Sequence, residues 1–172
     1  MRPKERDTEI ENIIRKYYLS QGMIFASCRE CIITTVLGSC ISVCLWDPSK
    51  GIGGMNHYML PLWNGEGLPS PKYGNIAIPN LMERMIDSGC KKADLCAKVF
   101  GGAEMLSPTR HGESSVGAQN IMLAEDLLSG ECIPIVSIDV GGNQGRRIQF
   151  NTSTGLVMLK RLTQSAANII SV

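Results

Sequence analysis

The sequence predicts a single domain of the α/β class, of the α+β kind, with a mixed β-sheet core flanked by helices. Three observations carry this. The chain has 172 residues, about one domain's length and enough to bury a core. Short runs of β-branched and apolar residues alternate with period two at several places. Two segments between them space their apolar residues as a helix does.

Taken in order, residues 4–18 are highly charged, with Ile10, Ile13, Ile14 and Tyr17 at helical spacing. Residues 1–20 are therefore expected to form a charged helix or a loosely held arm, ahead of one domain over residues 21–172. Residues 23–26 suit a short strand. Residues 31–37 are apolar and β-branched and end in Gly38-Ser39. Residues 41–46 alternate as a strand, and Asp47-Pro48-Ser49-Lys50 follows as a turn with Pro at its favoured second position. A second strand over 52–60 is closed by Pro61, and residues 62–75 make the longest loop. Ile78, Leu81, Met82, Met85 and Ile86 line one helix face, with Pro79 in the first turn and Gly89 at the stop. Residues 95–100 read as a buried strand, 120–128 as a second helix, and 133–140, 147–150 and 156–162 as three further strands. Gly141-Gly142-Asn143-Gln144-Gly145 lacks the Lys and the strand–helix context of a phosphate loop, so it is expected to be a hairpin turn.

Composition narrows the function. Apolar residues make up 44% and charged residues 19%, as in ordinary soluble proteins. The net charge is +1 and the basic residues are scattered, which argues against a nucleic-acid surface. No apolar run approaches the roughly 20 residues that span a bilayer, so no membrane insertion is expected. The charged N-terminus lacks the apolar stretch of a signal peptide, and the expected location is cytoplasmic. There the seven cysteines should be free thiols. Cys28 and Cys31 have zinc-ligand spacing, but no second pair follows to complete four ligands, so no metal and no cofactor is expected.

One pair of residues stands out. If Asp47 and Lys50 close the hairpin turn, Cys40 faces His57, Ser42 faces Met55 and Cys44 faces Gly53. Directly opposed residues have Cβ atoms about 4.5–5.5 Å apart. A Cys beside a strand and a lone His are commonly structural, but together they have a chemical use. The thiolate is a nucleophile, a neighbouring imidazolium lowers the thiol pKa, and His can protonate a leaving amine. On this reading Cys40 is the thiol most reactive toward iodoacetamide. The backbone N–H groups of Ser39 and Cys40 are candidates to stabilise an oxyanion.

These residues resemble the chemoreceptor glutamine deamidase family, CheD. The likeness runs through Thr34-Thr35-Val36-Leu37-Gly38-Ser39-Cys40 and Gly54-Met55-Asn56-His57-Tyr58-Met59-Leu60-Pro61. It continues through Tyr73-Gly74-Asn75, Ala97–Ala103, Gly117 with Asn120, Asp139-Val140-Gly141-Gly142, Arg147–Phe150 and Gly155. The resemblance implies a layered fold and hydrolysis of glutamine side-chain amides on methyl-accepting chemotaxis receptors, with no cofactor. It also implies a CheC-type phosphatase as a possible partner. The family's Cys–His–Thr triad falls on Cys40, His57 and, six residues before the Cys, Thr34; the adjacent Thr35 is the alternative for the third place. The polar stretch 107–117, with His111, departs from the family pattern, as do Cys28 and Cys31.

Overall fold

The computed structural model describes residues 14–104 and 114–162. In chain order these form β1 (Arg15–Tyr18), β2 (Ile24–Ser27), β3 (Cys31–Leu37), β4 (Ile41–Asp47), β5 (Ile52–Asn56), α1 (Gly74–Asp87), β6 (Cys96–Gly101), α2 (Val116–Gly130), β7 (Ile135–Val140), β8 (Arg146–Asn151) and β9 (Val157–Arg161). The result is an α+β domain, but with two mixed sheets rather than one. One sheet has the order β1-β3-β8-β9 and the other β2-β5-β4-β6-β7. In each, one edge pair is parallel, β1 with β3 and β6 with β7, and the rest are antiparallel.

The pleat of β4 explains the layering. Ile41, Val43 and Leu45 point to one face and pack with Ile78, Leu81, Met85, Ala124 and Leu128 of the two helices. Cys40 and Cys44 point to the other face and pack with Ile33, Leu37, Ile148 and Phe150 of the four-stranded sheet. Helices, five-stranded sheet and four-stranded sheet are thus three layers, with a core in each gap. A strand buried on both faces should lack polar alternation, and β4 is buried at every position except Trp46.

Several expectations are corrected. Residues 15–18 are not helical: they form β1, parallel to β3, with Arg15 opposite Cys31 and Tyr18 opposite Thr34. Tyr17 stacks on Phe25 with ring centroids 4.5 Å apart, and Leu19 enters the core on the same side. This strand depends on a partner distant in sequence, which local periodicity cannot register. The preceding residues 1–13 lie outside the described residues.

Residues 141–145 do not make a hairpin, because β7 and β8 belong to different sheets. Arg146 is the reason. It is fully buried, its guanidinium is 2.6 Å from the Asp139 carboxylate, and it also donates to the carbonyls of Asp139 and Gly141. The second Asp139 oxygen holds Arg161 at 2.8 Å. A buried guanidinium bonded in this way through Nη1 and Nη2 fixes the crossover between layers. Helix α1 begins at Gly74, earlier than expected, so Pro79 lies in its second turn. Gly74 N donates to the Leu60 carbonyl at 2.8 Å, which anchors the helix start to the end of the 52–60 segment.

Candidate active site

The site lies between the two sheets, where β5 stops being a regular strand. The expected strand over 52–60 ends at Asn56. There, side chains replace ladder bonds: Asn56 Oδ1 accepts from Val43 N at 2.9 Å, and Ser42 Oγ donates to the Asn56 carbonyl at 2.6 Å. His57 turns instead to the 19–23 segment. Its N donates to the Met23 carbonyl at 3.1 Å, and Gly22 N donates to the His57 carbonyl at 2.7 Å. Pairing with β4 resumes one residue on, with Ile41 and Tyr58 exchanging two backbone bonds.

The hairpin register differs from expectation. Asp47 pairs with Ile52, and Cys44 faces Met55 rather than Gly53. The loop is residues 48–51: Gly51 N donates to the Asp47 carbonyl at 2.9 Å, and Gly51 has φ +63°, a left-handed conformation suited to glycine. Cys40 and His57 are therefore offset by two residues, not directly opposed. An even offset keeps both on one face. Diagonal same-face neighbours of an antiparallel pair lie about 7–8 Å apart at Cα, within reach of longer side chains. Both are buried, Cys40 at 8% and His57 at 2% exposure, facing the four-stranded sheet.

From that sheet comes the residue that orients the imidazole. Thr35 Oγ1 is 2.8 Å from His57 Nδ1 and donates to the Leu19 carbonyl at 2.7 Å. The hydroxyl has one hydrogen and a carbonyl can only accept, so the Thr35 oxygen must accept from Nδ1–H. This fixes the tautomer: Nε2 carries the lone pair. Nε2 is buried and has no partner among the described residues. Thr34 does not reach the imidazole. Successive side chains of β3 alternate, so Ile33, Thr35 and Leu37 face the interlayer core while Thr34 faces away, where its Oγ1 accepts from Gln149 Nε2 at 3.4 Å. Counting back from the Cys does not distinguish Thr34 from Thr35, whereas the pleat puts Thr35 and not Thr34 against His57.

The loop bearing Cys40 is gripped from two sides. Gly102 N donates to the Cys40 carbonyl and Ala103 N to the Gly38 carbonyl, both at 2.8 Å. The buried Asn120 of α2 donates through Nδ2 to the carbonyls of Ser39, at 3.1 Å, and Met59, at 2.9 Å. One amide thereby ties the Cys40 loop to the backbone just beyond His57. The backbone N–H groups of Ser39 and Cys40 donate to no other residue among those described, and the Cys40 N–H lies beside its own sulfur. Sequence reasoning missed the parts played by Leu19, Gly22 and Asn120. The available signal was a buried-type amide on an otherwise apolar helix face.

Burial governs the electrostatics. It pushes the Cys40 thiol above its ordinary 9.0, outweighing its own N–H, which acts the other way. It pulls His57 below its ordinary 6.5, against the Leu19 carbonyl, which favours the cation. The depressed thiol pKa expected from the pairing is thus not what the burial produces. At neutral pH the resting pair is thiol and imidazole. Wild type and Cys40→Ser should show the same ultraviolet thiolate absorbance at neutral pH. General-base capacity should be lost only as pH falls through a value below 6.5. Iodoacetamide should reach the exposed Cys28 and Cys132 ahead of Cys40, a reversal of the order expected from sequence. A thiolate band unique to the wild type would overturn the neutral pair.

An open cleft of about 250 Å³ leads to His57, lined by Tyr18, Leu19, Ser20, Gln21 and Val36. None of these carries a formal charge. Cys31 is buried against Thr152, at 3.5 Å from its hydroxyl, while Cys28 is exposed. Among the described residues no helix is long and apolar enough to cross a membrane. His111 lies outside the described residues.

Comparison with known proteins bears on this arrangement. The family profile described as "CheD chemotactic sensory transduction" matches residues 59–161. A protein of Trichlorobacter lovleyi named "Probable chemoreceptor glutamine deamidase CheD" is 53% identical over 86% of this chain and 91% of its own length. A protein of the same name from Sulfurimonas denitrificans is 48% identical over 84% of this chain and 93% of its own. One from Rhodospirillum rubrum is 40% identical over 92% and 88%. The expected likeness is thereby established, and the chain belongs to the CheD family.

Proposed function

We propose that this protein hydrolyses glutamine side-chain amides to glutamate on methyl-accepting chemotaxis receptors, with Cys40 as nucleophile and His57 as base. One observation carries the chemistry: the Leu19 carbonyl, Thr35 hydroxyl and His57 imidazole form a hydrogen-bonded line that leaves Nε2 unpartnered on the face it shares with Cys40. The relatives named chemoreceptor glutamine deamidases support the amide and the receptor.

The steps follow from a neutral pair. Nε2 takes the proton from Sγ as sulfur attacks the carboxamide carbon, and the resulting oxyanion is held by N–H groups of the 39–40 loop. The imidazolium then gives that proton to the departing nitrogen, and ammonia leaves a thioester. Water attacks the thioester with Nε2 accepting its proton, and the proton returns to sulfur as glutamate is released. Thr35 keeps Nδ1–H directed away from sulfur throughout, an orienting part usually taken by Asp or Asn.

The cleft supports a protein substrate. At about 250 Å³ it falls below the roughly 300–1,000 Å³ of most small-molecule pockets, and it has no charge to hold the α-amino and α-carboxyl groups of free glutamine. Exposed Tyr18 and Val36 on its rim offer apolar contact to a helix presenting one glutamine. With a receptor cytoplasmic region as substrate, the location proposed for the protein is the cytoplasm. A CheC-type phosphatase is the partner that family likeness implies, and co-elution on gel filtration would test it. The test of function is the intact mass of a receptor cytoplasmic fragment after incubation. Conversion of amide to acid on the fragment, with ammonia released and free glutamine untouched, is expected. Comparable rates on free glutamine would sink the receptor reading.

Thr35→Val should lower turnover about tenfold to a hundredfold, since an uncharged orienting bond is worth about 1–3 kcal/mol. Thr34→Val should stay within about threefold of wild type, because one hydrogen bond on the far face is worth only about 1 kcal/mol or less. Steady-state ammonia release from both variants checks this, and the reverse ranking would return the third place to Thr34.

A further inference from the structure

We infer that the side-chain amide of Gln21 is a catalytic residue, an oxyanion donor that completes the site from the side opposite the Cys40 loop. Three observations converge on it. Gln21 Nε2 lies 4.0 Å from Cys40 Sγ with its N–H toward the sulfur. Gln21 also lines the cleft that opens onto His57. Third, although Gln21 is exposed, its backbone is held in place. Ser20–Met23 is a tight turn, closed by Met23 N donating to the Ser20 carbonyl at 3.2 Å, with Gly22 at φ +72°. A positive φ at the third position marks a type II turn and puts Gln21 at the second. The turn is bonded to His57 on both sides, through Gly22 N and the Met23 carbonyl, and Leu19 just before it accepts from Thr35. The segment that orients the base therefore also positions Gln21.

The distance suits this part. Attack places the carbonyl oxygen one bond beyond the carbon that sulfur has joined, and effective donors sit about 2.7–3.1 Å from that oxygen. A donor 4.0 Å from the resting sulfur, approaching from the cleft, leaves the oxygen room to develop between them. Among the described residues the same N–H meets only a weak sulfur acceptor at rest, so it gains a stronger acceptor on reaction. That is the property that accelerates a step rather than merely binding substrate. The inference rests on acyl transfer to Cys40 but not on the identity of the amide.

The experiment compares two reagents on the full chain carrying Cys28→Ser and Cys132→Ser, which removes the exposed thiols. p-Nitrophenyl acetate acylates Cys40 through a tetrahedral oxyanion, read as the nitrophenolate burst. Iodoacetamide alkylates the same sulfur by direct displacement, with no oxyanion. Gln21→Leu should slow the burst by about tenfold to a hundredfold, below the full loss of a single-donor hole because backbone donors remain. Alkylation should stay within about twofold, since no donor acts in it. Gln21→Glu, of equal shape but without N–H donors, should slow the burst at least as much as Leu. An unchanged burst in Gln21→Leu, or equal loss of acylation and alkylation, overturns the inference. So does Cys40-dependent conversion of Gln21 itself to glutamate in the wild type, which would make it a substrate. A normal burst without ammonia release from receptor fragments would count against the deamidase reading and leave Gln21 in place.

Discussion

Cys40→Ala and His57→Ala should each abolish amide hydrolysis while the fold persists. Loss of a nucleophile or base from a concerted unit commonly costs on the order of a million-fold in turnover. Both effects should be nearly equal here, because neither group can act alone. On the proposed mechanism the neutral thiol gives its proton to Nε2, the unpartnered nitrogen on the face the two residues share. Of the other nucleophiles on that face, Ser42 donates its hydroxyl to the Asn56 carbonyl, and burial pushes the Cys44 thiol up to about 12. The double variant should be no slower than either single one. Removing either side chain leaves a small cavity, with Thr35 still bonded to the Leu19 carbonyl, so thermal unfolding should move only modestly. The assay is ammonia release from a receptor cytoplasmic fragment, with unfolding followed in parallel. Residual turnover at a tenth of the wild-type rate in Cys40→Ala would end the covalent mechanism. A His57→Ala protein with much higher activity than Cys40→Ala would show that some other group takes the proton.

Gly101→Ala should be the most damaging single methyl in the protein. A Cβ at this position would lie 2.1 Å from the Cys40 carbonyl oxygen, a contact no side chain tolerates. Neither partner can yield cheaply. Cys40 O is held by Gly102 N at 2.8 Å, and Gly101 O accepts from Gly141 N at 2.9 Å, so moving either strand breaks bonds on both sides. Gly101 also has φ +115°, where a residue with a Cβ is strained by about 1–3 kcal/mol even in open space. Strain and clash together should cost about 3 kcal/mol or more. For a domain of this size that lowers Tm by about 10 °C. Because the displaced atom is the carbonyl of Cys40 itself, activity should fall further than stability accounts for. Ammonia release measured well below the new Tm separates the two effects. Gly130→Ala is the control: a Cβ there meets nothing within 4 Å, and Tm should hold or rise. A Gly101→Ala protein with wild-type Tm would mean that the approach of β6 to the Cys40 loop is looser than described.

Much of this was legible from the order of residues alone. An apolar, β-branched run marked the extent of β3, and a period-two run placed β4 almost to the residue, because buried strands leave such patterns in the sequence. The i, i+3, i+4 pattern found the buried face of α1, where Ile78, Leu81, Met82 and Met85 all enter the core. The turn between β4 and β5 brought Cys40 and His57 to one face even with its register two residues off, since parity alone decides the face. What sequence could not decide depended on partners distant along the chain. Tyr17 keeps helical spacing with Ile10, Ile13 and Ile14, yet Arg15–Tyr18 is a strand because β3 supplies its hydrogen bonds. A glycine-rich stretch reads as a hairpin turn until a buried Arg146 gathers its carbonyls and sends the chain across to the other sheet. Thr34 and Thr35 are neighbours of identical type, and only the stacking of the two sheets determines which one meets His57. The same stacking buries Cys40 and His57 and so sets the pair neutral at rest, where local spacing had suggested a thiolate. Alternation and parity are local properties and survive in one dimension. Sheet pairing, burial and the choice between adjacent side chains are set by contacts across the layers, and they exist only once the chain has folded.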